Sequence, residues 1–178
     1  MVIIGLDPGT IVTGYGIIKY QSSSLERISS GVIKLSASKS LSQKLGIIYD
    51  ELFRIIKLYK PDEFAIETAF YGKNVQSAMK IGYARGVLIL SAVHNKIPVS
   101  EYSPREIKKS VVGRGAASKE QVNFMVKTLL NLKSAKMQLD ESDALATALC
   151  HAFRLKSPVK KSKNWKSFVE AFPERVIQ

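Results

Sequence analysis

Sulfur, acidic side chains and long apolar runs are what this sequence has least of. One cysteine, Cys150, in 178 residues excludes an internal disulfide and suits a reducing compartment. The longest apolar stretch beyond the N-terminus, Gly86 to Val93, is far too short to span a bilayer. The N-terminal apolar run is also short, has no basic flank and meets Asp7, so no signal peptide is expected. Only 15 Asp and Glu stand against 27 Lys and Arg, a formal net charge of +12. A charge of that sign favours a polyanionic partner. Nucleic acid is favoured over a membrane, because no basic amphipathic helix with a strong aromatic face is present. There is no internal repeat and no low-complexity tract. The expectation is a soluble cytoplasmic protein without membrane association, and 46% apolar residues are enough for the core of one ordinary domain.

The chain is organised around Met1-Val2-Ile3-Ile4-Gly5-Leu6-Asp7-Pro8-Gly9-Thr10. The apolar run reads as a strand buried on both faces, with Asp7 where the strand gives way to a turn. Gly14 to Tyr20 and Glu26 to Leu35 read as a second and third strand in an antiparallel meander. From Leu41 to Lys60, apolar residues recur at three- and four-residue steps (Leu41, Leu45, Ile48, Leu52, Ile55, Tyr59), the pattern of an amphipathic helix that Pro61 ends. Glu63 to Ile66 is a short strand with Glu67 at its exit. Asn74 to Asn95 is helical, with Ala78, Ile81, Gly82, Leu88 and Val93 as buried candidates. Pro98 to Tyr102 makes a fifth strand. Ser103-Pro104 caps a short helix carrying Arg105 to Val111, Ser118 caps another to about Asn131, and a last helix runs from near Asp140 to about Leu155. Strands first and then alternation with helices predict an α/β fold, a five-stranded mixed sheet with helices on both faces. The expected division is a domain over 1–155 and a basic C-terminal tail over 156–178, where Lys156, Lys160, Lys161, Lys163, Lys166 and Arg175 face only Glu170 and Glu174.

The chemistry lies in acids at element ends. Asp7 and Glu67 leave two different strands, while Asp140 and Asp143 stand three apart in the first turn of the last helix, where i and i+3 share a face. Each has an ordinary alternative: Asp7-Pro8-Gly9 is a good turn, Glu67 a solvated strand end, and Asp140 with Asp143 a helix cap. Jointly they point elsewhere. Four converging carboxylates would repel one another and rise in pKa, whereas one or two Mg²⁺ ions would neutralise them; oxygen ligands suit Mg²⁺ or Mn²⁺ rather than zinc. In the two-metal arrangement the ions lie roughly 3.5–4 Å apart and serve the attacking and leaving oxygens of a phosphodiester.

The order of these residues is recognisable. Asp7-Pro8-Gly9 with Thr13-Gly14-Tyr15-Gly16, then Glu67, Phe70 and Asn74, then Tyr102-Ser103-Pro104-Arg105, Val112-Gly113-Arg114-Gly115-Ala116, Lys119 with Gln121-Val122, and Asp140-Glu141-Ser142-Asp143-Ala144-Leu145-Ala146 together resemble the RuvC family of bacterial Holliday junction resolvases. The resemblance spans residues 1 to about 155. It implies an RNase H-like fold, a homodimer, and Mg²⁺-dependent paired nicks in opposed strands of a four-way DNA junction. It also implies work alongside the branch-migration complex of RuvA and RuvB. By position, the family's metal ligands fall on Asp7, Glu67, Asp140 and Asp143, with two Mg²⁺ per site and Mn²⁺ as a substitute. Its basic catalytic residues fall on Lys119 and Lys108, and Lys109 adjoins Lys108, leaving open which of the two faces inward. Phe70 falls on an aromatic that stacks on an unpaired base, and Lys73, Arg105 and Arg114 are the further DNA-binding candidates. In-line hydrolysis would leave 3′-hydroxyl and 5′-phosphate ends.

Two other classes share parts of this pattern. A buried strand followed by Asp-Pro-Gly-Thr is also like the phosphate loop of actin-like ATPases and sugar kinases, but those need a second domain with a second loop. A non-catalytic junction binder has no need of four acids. His94, near a helix end, reads as a C-terminal cation, and His151, about two turns beyond Asp143, is too far away to share its metal.

Overall fold

A computed structural model describes residues 1–22, 24–68, 74–132 and 136–156. The strands are β1 (Val2–Asp7), β2 (Val12–Gln21), β3 (Ser24–Lys34), β4 (Glu63–Glu67) and β5 (Val99–Tyr102). The helices are α1 (Leu41–Tyr59), α2 (Val75–His94), α3 (Pro104–Val112), α4 (Lys119–Leu129) and α5 (Leu139–Lys156). One five-stranded sheet runs β3-β2-β1-β4-β5. β1, β2 and β3 pair antiparallel, and β4 and β5 continue the sheet parallel to β1.

Strand alternation decides which side chains meet which layer. Ile4, Leu6, Ile17, Phe64 and Ile66 point to the face covered by α1 and α2, where Ile48, Leu52, Ile56, Ala84 and Leu88 complete a core. Ile3 and Ile18 point to the opposite face, into a core with Ile107 and Val111 of α3, Val122 and Val126 of α4, and Leu145 and Leu149 of α5. Asp7 shares the parity of Ile3 and Gly5, so it emerges on the α5 face. Parallel register pairs Gly5 with Ala65 and Leu6 with Ile66, which brings Glu67 out beside Asp7 on that same face.

α5 is buried on most sides: Ala144, Leu145, Ala146, Ala148, Leu149, Cys150 and Ala152 are all inaccessible to solvent. Its backbone reaches the sheet because the sheet is glycine beneath it. Gly5 of β1 lies opposite Gly16 of β2, and Gly14 opposite Asp7. A Cβ at Gly5 would stand 2.3 Å from the Ala144 carbonyl oxygen, one at Gly14 2.0 Å from that of Asp140, and one at Gly16 2.7 Å from the Leu145 side chain. Capping boxes of Ser103 with Glu106 and Ser118 with Gln121 start α3 and α4 at fixed points above the same strand ends.

One sequence expectation needs correction. In α2 the buried residues are Ala84, Leu88, Ser91 and Ala92, whereas Gly82 and Val93 face outward. This helix is apolar on two sides, so periodicity alone misidentifies the face that meets α1. Residues 157–178 of the expected tail lie outside the described residues.

Gly14→Ala is expected to cost about 1–3 kcal/mol by overpacking the α5 backbone. Gly46→Ala, inside α1 with open space around its Cβ, should instead gain about 0.5–1 kcal/mol from helix propensity. Urea unfolding midpoints of the two variants check the pair; equal effects of either sign would refute the close approach.

Candidate active site

The turn after β1 is tied down locally. The buried Thr13 hydroxyl donates to the Gly9 carbonyl at 2.7 Å and accepts from the Gly9 amide at 3.3 Å, so β1 passes into β2 through a closed loop that holds Asp7 at the strand exit. Asp7, Glu67 and Asp143 line one cavity of about 160 Å³ together with Lys108 and Lys119, and Pro104, Ile107 and Val122 form its apolar wall. The carboxyl of Asp7 is pushed up to about 8, chiefly by burial and then by the charges of Glu67 and Asp143, with a smaller push from Asp140 and an opposing pull from Lys119. Burial and Asp143 push Glu67 up to about 7, against Lys119 and Lys108.

Lys119 is the first residue of α4, directly after its Ser118 cap. Its ammonium donates to Asp143 Oδ2 at 2.7 Å, and this bond does most to raise the lysine pKa. A cation thus already sits among the acids. Asp140 lies one turn before Asp143 and on the wall of the neighbouring groove, beside Gly9 and Thr10. Residues three apart on a helix differ by about 60° around the axis and 4.5 Å along it, so one aspartate enters the cavity and the other lines the adjacent groove. Among the described residues, no three His, Cys, Asp or Glu side chains stand at ligand spacing around one point. The donor chemistry still fits a hard divalent cation. All the donors are carboxylate oxygens, and burial together with the neighbouring acids drives two of them toward neutrality.

The other candidates divide cleanly. Lys108 lines the acid cavity, whereas Lys109 points to an outer surface with Glu106 and Gly113, which answers the ambiguity between them. Arg105 and Arg114 line a broad trough of about 770 Å³ that shares Lys108 with the acid cavity. Phe70 and Lys73 lie outside the described residues. Both histidines stand apart from the acids. His94 is near Tyr49, with its Nδ1 3.4 Å from the phenol oxygen. His151 is buried, with its Nδ1 2.8 Å from the Tyr102 hydroxyl, and burial holds its pKa below the usual imidazole value despite the nearby Glu63.

Sequence reasoning passed over Glu141. It is largely buried and accepts from the Ser30 hydroxyl at 2.7 Å and from the Gln138 amide at 3.4 Å. It therefore fastens the first turn of α5, with Asp140 and Asp143, to β3. Its place between those two aspartates was the only signal available.

Strand order, mixed pairing and acids leaving two adjacent central strands define an RNase H-like fold. The family model described as crossover junction endodeoxyribonuclease RuvC matches residues 3–151. A protein of that name from Chlorobium phaeobacteroides is 42% identical over 187 residues, covering 100% of both chains. Another from Tolumonas auensis is 52% identical over 151 residues, 85% of this chain and 86% of that one. The Thermus thermophilus RuvC structure superposes with a TM-score of 0.80 at 30% identity, covering 89% of this chain and 97% of that one. The same protein in complex with a Holliday junction substrate gives 0.79 at 29% identity, covering 88% and 96%. This chain belongs to the RuvC family.

The raised carboxyls have a consequence for stability without metal. Between about pH 4 and pH 8 the folded protein holds protons on Asp7 and Glu67 that the unfolded chain has released, so their contribution to stability falls as pH rises through that window. In excess chelator, Asp7→Asn is expected to melt about 4 °C or more above the parent at pH 8.5, with the gap closing toward pH 5. A gap independent of pH would contradict the shift.

Proposed function

We propose that this chain resolves four-way DNA junctions by paired, metal-dependent phosphodiester hydrolysis in opposed strands, with Asp7, Glu67, Asp140 and Asp143 as the metal ligands. As a RuvC-family member it is an endodeoxyribonuclease of the crossover junction class. The observation that carries the residue assignment is the shared cavity of Asp7, Glu67 and Asp143 with Lys108 and Lys119, in a chain of net charge +12. Basic side chains hold a polyanion there, while the acids hold cations against it.

A divalent ion bound there, Mg²⁺ with Mn²⁺ as a substitute and two per site, would activate water and neutralise charge on the phosphodiester. The chain's own groups do the rest. Asp7, rigid at the end of a central strand, orients toward the reacting phosphate, with Glu67 and Asp143 flanking it. Lys119, held by Asp143 at 2.7 Å, turns to the phosphate as charge develops on its oxygens. Lys108 offers a second cation from α3. Pro104, Ile107 and Val122 exclude bulk water from one side, which strengthens each of these charges. Arg105, Arg114, Lys109, Phe70 and Lys73 are assigned to DNA binding, with Phe70 stacking on an unpaired base.

Two opposed cuts need two acid cavities, and each chain carries one. A homodimer supplies both. Its support is α2, which exposes Val75, Met79, Tyr83, Leu90 and Val93 and has open space over Gly82 and Gly86. The reading places the protein in the cytoplasm beside RuvA and RuvB; no described helix is long and apolar enough to cross a membrane.

The test is a labelled synthetic four-way junction against a linear duplex of equal length, in Mg²⁺ or EDTA. Symmetric nicks are expected in the junction alone, requiring metal. In Asp7→Asn they should fall by at least about a hundredfold while junction binding persists. Binding without cutting under every condition would overturn the catalytic assignment.

A further inference from the structure

Besides the trough of Arg105 and Arg114, a second groove of about 700 Å³ is lined by other elements and shares no residue with that trough. Leu41 and Lys44 line it from the first turn of α1, where they stand three apart on one face. Ser77, Lys80 and Ile81 line it from one face of α2, at the i, i+3 and i+4 positions. Lys39 closes it just ahead of the Ser40 cap, and Gly9 to Val12 form its floor. Three lysines, two from helices and one from the loop ahead of α1, thus line one channel. Among the described residues, none of the three forms an ion pair.

Among the described residues, the one carboxylate on the groove wall is Asp140. Asp140 is one turn from Asp143, which lies inside the acid cavity, and its charge acts on Asp7. Gly9 belongs to the turn that follows Asp7. The groove therefore borders the acid cavity at the β1–β2 turn and the first turn of α5, while Pro104 and Lys108 of α3 are shared between the cavity and the trough. The basic groove and the basic trough thus adjoin the acids through different elements, the β1–β2 turn and α5 for the groove and α3 for the trough.

We propose that Lys39, Lys44 and Lys80 form a phosphate-binding track that grips the cut DNA strand on the side of the scissile bond opposite Arg105 and Arg114. This rests on the junction-cleavage reading of the acid cavity. A strand held on both sides of the acids is fixed in direction as well as position, which an in-line displacement requires. Lysine ammonium groups suit the task because they hold a phosphate backbone without reading its bases.

The test measures junction affinity in Ca²⁺ across about 50 to 300 mM salt, a range that brackets the steep part of counterion release. The triple variant Lys39→Ala, Lys44→Ala, Lys80→Ala is compared with Lys19→Ala, Lys34→Ala, Lys57→Ala, which removes equal charge from other exposed surfaces. The groove variant should bind about tenfold or more weakly, and the slope of log K against log salt should shrink by about two to three. Methylphosphonate groups placed in the strand on one side of the cut should weaken the parent but not the groove variant. Equal behaviour of the two triples would overturn the proposal while leaving the cleavage reading intact. A parent protein with no salt-dependent junction binding would bring down that reading, and the track with it.

Discussion

The close seating of α5 on the sheet is the constraint on which the rest of the structure depends. A helix normally stands about 10 Å from a sheet, kept there by side chains of both layers. Here Gly5, Gly14 and Gly16 remove the lower layer, and alanines thin the upper one. The Asp140 carbonyl then lies where a Cβ on Gly14 would be, directly across the strand pair from Asp7. Glu141 and Ser30 fasten the same turn laterally to β3. The acids of α5 are therefore carried to the acid of β1 by backbone contact, and backbone positions are far better determined than the ends of side chains.

That geometry creates an electrostatic problem, and the chain answers it with cations. Burial and mutual repulsion push Asp7 and Glu67 well above the ordinary carboxylate range, a sign of charges brought together for a use other than stability. Lys119 pairs with Asp143, and Lys108 pulls Glu67 back down. These lysines come from the middle of α3 and the start of α4 and line the same cavity as the acids. A site of this kind recruits divalent ions and phosphates together, because each compensates the other's charge.

Much of this was legible in the sequence, for identifiable reasons. β1 reads correctly because a continuous apolar run ending in Asp-Pro-Gly has few other interpretations. α3 and α4 read correctly because Ser-Pro-Arg-Glu and Ser-Lys-Glu-Gln are capping boxes. The parity that sends Asp7 and Glu67 to one face follows from strand alternation once register is known, but register itself comes from packing. The anchoring role of Glu141 is not legible in the sequence because its partner Ser30 is 111 residues away. The outward face of α2 was misread because its apolar residues surround the helix. Lys39, Lys44 and Lys80 are unremarkable in sequence, and only the approach of α1 to α2 makes them neighbours. The choice between a nuclease and an actin-like ATPase, open on the Asp-Pro-Gly-Thr motif alone, is decided by the family match over residues 3–151.

The most direct test of the central claim is a crystal of this protein soaked in Mn²⁺ and measured for anomalous scattering. The account predicts a peak touching the carboxylates of Asp7 and Asp143, with the α5 backbone still resting on Gly14 and Gly16. A peak elsewhere, or no peak while α5 keeps its seat, would show that the glycine floor brings these acids together for some purpose other than holding a metal.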